Sequence, residues 1–394
     1  MKKRIIIISQ TESFLTKRGQ RHPDLAKYLI QEGCEVLYVS SNFYHAEKRF
    51  FSKEEINSVE DFGGSISHQF IEVPPYFSNV GLSRVKSNLA FAIKANNLLR
   101  DKIQRSDTVI VASRPVETIY FLSRLKKKHH FSLVMDVRDI WPDALNIGSA
   151  TKRYLFRIYC NFFLKGSVKK YDKFLYTCPS FLSWIQRYSN KADAYFSPLG
   201  YDKSRFENQV LISPRSHNKD SIRLVVIGLM QRQLNIIPLI KALEDFPNLS
   251  LDIYGDDGSG ELFQDVLKAS RKAKHKNVNV HGQIPPNEVP EILGKFDIGV
   301  VPMDAEHAFP NKVFDYIALS LPILAMGNND VSRFVISEKA GWHSSFDVLG
   351  IKETLEIITK SSEVYNESAK NIFSIRSAYG RDIIFSKIKH ILTI

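Results

Sequence analysis

The sequence predicts an α/β protein built from two doubly wound domains, each a parallel sheet with helices on both faces. Its 394 residues suffice for two domains at roughly 100–200 residues each. Apolar runs of strand length alternate with segments of helical period almost from end to end, the signature of βαβ units. The alternation stops once, over a stretch at 197–221 rich in Ser, Pro, Asn and charge, and then restarts.

In the first half, 4–9 is a buried-strand run containing four consecutive isoleucines. Leu25, Leu29 and Ile30 recur at helical spacing over 23–32. Gly33 then supplies a helix stop before a strand at 36–40. Strands at 108–112 and 133–137 flank a helix over 116–127, and 175–178 reads as the last strand of this half. After the break come a strand at 223–227, a helix at 236–243, a strand at 249–254, a helix at 261–273 and a strand at 278–281. A strand at 298–301, a helix at 312–319 and a strand at 323–325 follow. The expected limits are 1–200 for the first domain, 201–221 for a linker and 222–372 for the second domain. A C-terminal helix at 373–394 is expected to return to the first.

Hydrophobic residues make up 44% and charged residues 24%, which excludes a disordered tail, a collagen and a disulfide-stapled mini-domain. Cys34, Cys160 and Cys178 are far apart and form no CxxC pair. They read as small buried hydrophobes in a reducing compartment. The 54 basic side chains exceed the 42 acidic ones, giving a net charge of +12 and pointing to a polyanionic partner. Nucleic acid is disfavoured, because the charge is dispersed and no recognition motif with interleaved aromatics appears. An anionic membrane surface and phosphate-bearing substrates remain. Ser9-Gln10-Thr11-Glu12 ends the N-terminal apolar run too early for a signal peptide, and no run reaches a membrane span. The expectation is a cytoplasmic protein, at most peripheral at the inner face of the plasma membrane.

The most informative stretch is 309–324, FPNKVFDYIALSLPIL. Pro310 is placed at a helix start. Val313, Phe314, Ile317, Ala318 and Leu321 form the buried stripe, while Lys312 and Asp315, three apart, share the opposite face. A helix N-terminus seats anions, and Lys312 adds a full charge there. Asp315 can accept hydrogen bonds from vicinal hydroxyls such as those of a ribose. The alternative is a surface helix with an i,i+3 ion pair.

This segment resembles the nucleotide-binding helix of GT-B fold glycosyltransferases, specifically glycosyltransferase family 4. The family pattern is a carboxylate, seven residues, then a second carboxylate on the ribose. The second falls on Asp315. The first falls on His307, with Glu306 beside it, which makes Glu306 and His307 the catalytic candidates of this loop. The run 280–285, VHGQIP, resembles the family's nucleobase loop and implies base contacts near Gln283 and Ile284. Leu199-Gly200-Tyr201-Asp202, with Phe206 following, resembles its linker signature. Val137-Arg138-Asp139-Ile140-Trp141-Pro142-Asp143 resembles a motif of a subgroup that builds bacterial surface polysaccharides. The resemblance covers nearly the whole chain. It implies two Rossmann-like domains facing each other across a cleft, with acceptor on the first and nucleotide sugar on the second.

The family also places an Arg and a Lys after the first strand of the second domain. Here Leu229 stands in the Arg position of Gly228-Leu229-Met230-Gln231-Arg232, so Arg232 is the expected phosphate clamp. Gly228, Tyr254, Gly255, Pro310 and Asn311 complete the implied nucleotide-sugar set with Gln283, Ile284, Lys312 and Asp315. In the first domain the family often carries a histidine after the fourth or fifth strand. This chain has Arg114 and Arg138-Asp139 at those places. Asp139 is a candidate base or acceptor orienter, with an N-cap or a partner of Arg138 as alternatives. Gly19, Arg21 and His22, in the other natural loop, join Arg114 and Arg138 as acceptor-side candidates. No His/Cys cluster has metal spacing, and Asp256-Asp257 reads as a turn. The expectation is no metal and no cofactor, with Arg232, Lys312 and helix dipoles stabilising the departing diphosphate.

Over 152–171, Leu155, Ile158, Tyr159 and Phe162 fall on one helical face. Arg153 and Arg157 lie opposite, and Lys165, Lys169 and Lys170 follow. That pattern suits an interfacial helix or one packed on the sheet. A helix over 82–103 adds Arg84, Lys86, Lys94, Arg100 and Lys102. By resemblance, the chain would move a sugar from a UDP-sugar to a surface polysaccharide such as capsule or O-antigen, or to its lipid-diphosphate-linked precursor. Transfer would be retaining, by front-face departure of the diphosphate. The alternatives are a sugar-nucleotide epimerase and a catalytically silent partner subunit that binds nucleotide or glycan.

Overall fold

The computed structural model describes residues 2–16, 20–59, 66–79, 81–145, 148–190, 192–209, 221–228, 234–255 and 261–393. The chain forms two compact units. Unit 1 comprises Met1–Ser197 and Phe385–Ile394, and unit 2 comprises Pro198–Ile384.

The strands of unit 1 are β1 (Arg4–Ile8), β2 (Glu35–Ser41), β3 (Phe43–Tyr44), β4 (Arg49–Phe50), β5 (Ile66–Ile71), β6 (Thr108–Ala112), β7 (Ser132–Val137), β8 (Lys173–Tyr176) and β9 (Asp193–Phe196). Among the described residues, seven of them make one parallel sheet in the order β5-β2-β1-β6-β7-β8-β9, and β3 and β4 pair as a hairpin. The isoleucines of β1 are buried on both faces and pair in register with Val36–Val39 on one side and Thr108–Val111 on the other. A strand covered on both faces reads as a continuous apolar run, which is why this one is plain in the sequence. The helices are α1 (Arg21–Gln31), α2 (Lys53–Asn57), α3 (Leu82–Arg100), α4 (Val116–His129), α5 (Ala150–Leu164) and α6 (Phe181–Tyr188).

The apolar runs of the sequence end this half at 175–178. The strand there is β8, and the sheet continues to β9, a short half-exposed edge strand beginning with Asp193. Edge strands are short and polar, so β9 lacks the apolar run that marks inner strands. A second departure concerns α5. Its buried face is Cys160, Phe163 and Leu164, while Leu155, Ile158 and Phe162 are 58%, 50% and 66% exposed.

Unit 2 carries β10 (Ile222–Ile227), β11 (Leu249–Tyr254), β12 (Val278–His281), β13 (Ile298–Pro302), β14 (Ile323–Met326) and β15 (Gly341–Ser344), parallel and ordered β12-β11-β10-β13-β14-β15. Its helices are α7 (Ile237–Ala242), α8 (Glu261–Lys272), α9 (Val289–Leu293), α10 (Asn311–Ala318), α11 (Asp330–Ser337), α12 (Val348–Lys360) and α13 (Ser362–Ile375). Leu224, Leu251, Ile253, Val300 and Leu324 from the sheet pack with Leu239, Ile351, Leu355 and Tyr365 into one core. The last helix, α14 (Arg381–Thr393), ends inside unit 1. There Lys173 donates to the Ile391 carbonyl at 2.6 Å and Lys3 to the Leu392 carbonyl, so cations satisfy the carbonyl end of this helix, while Lys389 ties it to Glu32 at 2.6 Å.

In both sheets the strand order reverses beside the first strand, between β1 and β6 and between β10 and β13. Ligands of open parallel sheets sit at the carboxyl ends of strands at such switch points. Among the described residues no helix is long and apolar enough to cross a membrane.

Candidate functional site

In unit 2 the site is organised by α10. Its apolar stripe is buried, and Phe309, just before it, packs edge-on against Phe314 and Phe334. Pro310 is the N-cap, in extended backbone, so the helix begins one residue later than Pro310 itself. Tyr316 fixes how the helix lies on the sheet. Its ring fills the space over Gly299, where a Cβ would come within 2.5 Å of it. Its hydroxyl accepts from the Ile227 N–H at 3.3 Å and donates to the Val225 carbonyl at 3.2 Å, with the Val300 carbonyl at 3.3 Å. The helix is thus pinned across β10 and β13 at the switch point.

One turn earlier, that placement sets Lys312 over the end of β10. A Cβ at Gly228 would lie 3.3 Å from both Cε and Nζ of Lys312, so the absence of a side chain there makes room for the ammonium. Gly228 has φ +116° and Gly255 φ +139°, conformations that favour glycine. The two approach so closely that a Cβ at Gly255 would strike the Gly228 carbonyl at 2.0 Å. Lys312 is 7% exposed, and its Nζ has no hydrogen-bond partner among the described residues. Burial pushes its pKa down to about 8, so it still carries charge at neutral pH.

Asp315 lies one turn along the same face. Burial pushes its carboxyl up to about 6, against the pull of Arg205 and Arg381. Arg205 Nη1 stands 3.6 Å from Asp315 Oδ1, and Nη2 donates to the Pro286 carbonyl at 2.8 Å. Arg205 therefore ties the ribose candidate to the loop containing Gln283 and Ile284, of which Gln283 is exposed and Ile284 half-buried. Arg205 is not among the residues the sequence singles out; its only signal there is its place just before Phe206 in the linker signature. Tyr254 ends β11 and stacks on His281 at 4.2 Å, and His281 in turn meets Asp252 at 2.6 Å. The Gly255 N–H donates to the Gly282 carbonyl at 3.2 Å, which continues the row of strand ends from β10 to β12.

Glu306 and His307 sit in the loop between β13 and α10. The Glu306 side chain is exposed, and His307 Nε2 lies 3.9 Å from its carboxylate. Asn311 is exposed at the first position of α10. A neighbouring feature also escaped the sequence reading: Asn329 caps α11 and donates from Nδ2 to the Met303 carbonyl at 2.8 Å, holding the start of the 303–310 loop. Its signal was the Gly327-Asn328-Asn329-Asp330 run straight after a strand. Arg232, Gly19, Asp256 and Asp257 lie outside the described residues. No group of His, Cys, Asp or Glu among the described residues could hold a metal ion.

In unit 1 the basic residues expected on the acceptor side are engaged with carboxylates of the same unit. Arg21 Nε lies 3.0 Å from Asp136 Oδ2, and Arg21 also donates to Ser197 Oγ at 2.8 Å. His22, fully buried, sits 2.8 Å from Asp136 and 3.1 Å from Glu12. Arg138 pairs with Glu12. Burial alone would raise the Glu12 carboxyl, but Arg138 and His22 outweigh it and hold it at about 2. Burial alone would likewise lower His22, and Asp136 and Glu12 reverse that and raise it. Asp139 is paired with Arg114 at 3.1 Å, not with Arg138. Ser113 Oγ donates to the Asp139 carbonyl at 2.9 Å and accepts from the Arg138 N–H at 3.2 Å, knotting the ends of β6 and β7.

Residues 216–355, within unit 2, match the family model described as Glycosyl transferases group 1. No curated protein sequence matches the chain at a significant level. Solved structures are similar over its full length. Sucrose-phosphate synthase from Thermosynechococcus elongatus shares 14% identity at a TM-score of 0.73, over 100% of this chain and 98% of that one. HepE from Anabaena, solved in complex with UDP, shares 10% identity at 0.69 over 99% of each chain. WaaG, a glycosyltransferase involved in lipopolysaccharide biosynthesis, shares 14% identity at 0.66 over 99% of each.

Proposed function

We propose, from the premise that this chain carries a group 1 glycosyl transferase domain on a GT-B fold, that unit 2 binds a UDP-sugar and that the protein transfers the sugar to a surface glycan or its lipid-diphosphate-linked precursor. The observation that carries this reading is the buried Lys312 ammonium at the end of β10, beside the amino end of α10, which has no partner among the described residues. A buried cation held in reserve there is suited to a diphosphate, and the helix dipole acts in the same sense. Asp315, one turn further on, is placed to take the ribose hydroxyls. The UDP bound to HepE favours uridine as the nucleoside.

In the proposed reaction the bond between the anomeric carbon and the diphosphate oxygen breaks first. The acceptor oxygen then bonds to the same face of that carbon, and its proton passes to the departing UDP. Lys312 and the α10 dipole stabilise the leaving charge without a metal, while Glu306 and His307 flank the donor sugar. Asp315→Ala should weaken UDP binding by about 10- to 150-fold, equivalent to roughly 1.5–3 kcal/mol for a charge-assisted hydrogen bond. Calorimetry showing unchanged UDP affinity removes Asp315 from the site. Nucleotide release from a panel of UDP-sugars, measured in EDTA, should require a lipid-linked glycan. Release without acceptor, or only after Mg²⁺ is restored, defeats the transferase or the metal-free part of the reading respectively.

The exposed Leu155, Ile158 and Phe162 on α5, with Arg153 and Arg157 on the same helix, favour a peripheral position on an anionic bilayer at the cytoplasmic face. Each basic residue near such a surface contributes about 1 kcal/mol. The protein should float with anionic vesicles, detach as salt rises and lose the association in Leu155→Asp/Phe162→Asp. Equal flotation of that double variant removes α5 from the membrane.

A further inference from the structure

Unit 1 holds a second group of charges outside the Glu12–His22–Asp136 network. Lys48 comes from the turn between β3 and β4, Arg84 from the first turn of α3, and Arg114 from the end of β6. Two rings string them together. The Lys48 ammonium lies 4.8 Å from the centre of the Tyr76 ring, and the Arg84 guanidinium 5.7 Å from it. The same guanidinium lies 5.0 Å from the Trp141 ring, which Arg114 approaches to 5.9 Å. Both rings are buried. His45 joins them, with Nδ1 2.7 Å from the Tyr76 hydroxyl and 3.1 Å from Lys48 Nζ. Burial, then Lys48, Arg84 and Arg114, hold His45 down at about 4, so it stays neutral.

The carboxylates within reach do not balance three cations. Asp139 is engaged by Arg114. Glu117 is buried, burial raises its pKa, and it takes the Tyr159 hydroxyl. Arg84 itself is more than nine-tenths buried. One of its terminal nitrogens donates to the Asn79 carbonyl, but Nε has no partner among the described residues. An open N–H on a buried guanidinium is costly unless a ligand supplies the acceptor.

We infer that this cluster binds a phosphoryl group of the acceptor. Guanidinium forks match phosphate oxygens, and an ammonium adds a point charge. Two guanidiniums and an ammonium outnumber the two carboxylates within reach, Asp139 and Glu117, each already engaged by a neighbour, which suits an anionic group and not a neutral sugar. Phe77 and Leu82, 77% and 81% exposed, neighbour Tyr76 and Arg84 in the chain and supply apolar surface for a carrier. Calling the ligand an acceptor rests on the transferase reading; the anion site itself does not.

The test uses the full chain with UDP at saturation, so that unit 2 is occupied, titrated by calorimetry with inorganic pyrophosphate and with geranyl diphosphate. Saturable binding should weaken at least about tenfold in Lys48→Gln and in Arg84→Gln, with UDP affinity unchanged. Tighter binding of geranyl diphosphate assigns the phosphate to a lipid carrier, and equal binding assigns recognition to the phosphate alone. No binding of either compound, or binding that Lys48→Gln leaves intact, overturns the site. Lys48 is only half-buried, so its variant decides the matter even where Arg84→Gln fails to fold. Should the chain not bind UDP at all, the donor reading falls by itself. The same titration of the UDP-free chain, wild type against Lys48→Gln, still judges the cluster.

Discussion

The charged residues at the strand ends of the two units are buried alike and paired differently. In unit 1, Glu12, Arg21, His22, Asp136 and Arg138 neutralise one another within about one hydrogen-bond length. In unit 2, Lys312 meets no partner among the described residues, and Asp315 has Arg205 at 3.6 Å. A buried charge without a close partner costs the fold stability, whereas a closed network offsets much of its desolvation internally and is fragile to loss of one member. The contrast separates structure from readiness: the matched charge around His22 is structural, and the unmatched charge at Lys312 marks where a ligand completes unit 2.

The largest test of this contrast removes the centre of the matched set. His22→Ala leaves Glu12 and Asp136 without the imidazole between them and should cost about 3–5 kcal/mol, a fall in Tm of roughly 6–20 °C for a unit of this size. The effect has a pH window. Glu12 is held below its ordinary 4.5, so its contribution is present above that value and lost as pH falls towards about 2. His22 is raised above its ordinary 6.5, so its contribution is present below that value and lost as pH rises through its folded pKa. The gap in Tm between wild type and variant should therefore be widest between pH 4.5 and 6.5. A gap independent of pH would mean the network carries no net charge linkage.

Lys312→Met should do the reverse. Removing a buried cation that has no partner among the described residues should leave the apo protein as stable or up to about 1–4 kcal/mol more stable, while UDP binding weakens and uridine binding does not. Because the Lys312 pKa is lowered from 10.5 to about 8, its charge penalises the fold at pH below 8, and the gain should fade between pH 8 and 10.5. A lower apo Tm in Lys312→Met would place Lys312 with the matched charges and erase the contrast.

The sequence made the βαβ alternation legible because inner parallel strands are apolar on both faces, as in β1 and β10. It made α10 legible because Pro310, the stripe from Val313 to Leu321, and the Lys312–Asp315 spacing all agree. It could not disclose partners. His22 and Asp136 are 114 positions apart and Arg205 and Asp315 are 110 apart, so only the folded sheet brings them together. Periodicity likewise found the stripe on α5 but not which side the core takes. Cys160, Phe163 and Leu164 fill the inner face, which leaves Leu155, Ile158 and Phe162 outside. The edge strand β9 was illegible for the opposite reason to β1, since half-exposure removes the apolar run.

The ring of Tyr316 lying in the notch of Gly299 has a consequence for how this chain can diverge. A larger residue at Gly299 has no room while the ring is present, and a smaller one at Tyr316 leaves a void, the Val225 carbonyl without this donor and the Ile227 N–H without this acceptor. Each single step is penalised, so the two positions are free to drift only as a pair. Lys312, carried on the same helix, keeps its height above the end of β10 as a by-product of that lock. Relatives that retain the glycine–tyrosine pair should therefore keep the spacing between ammonium and strand end, whatever sugar their loops have come to select.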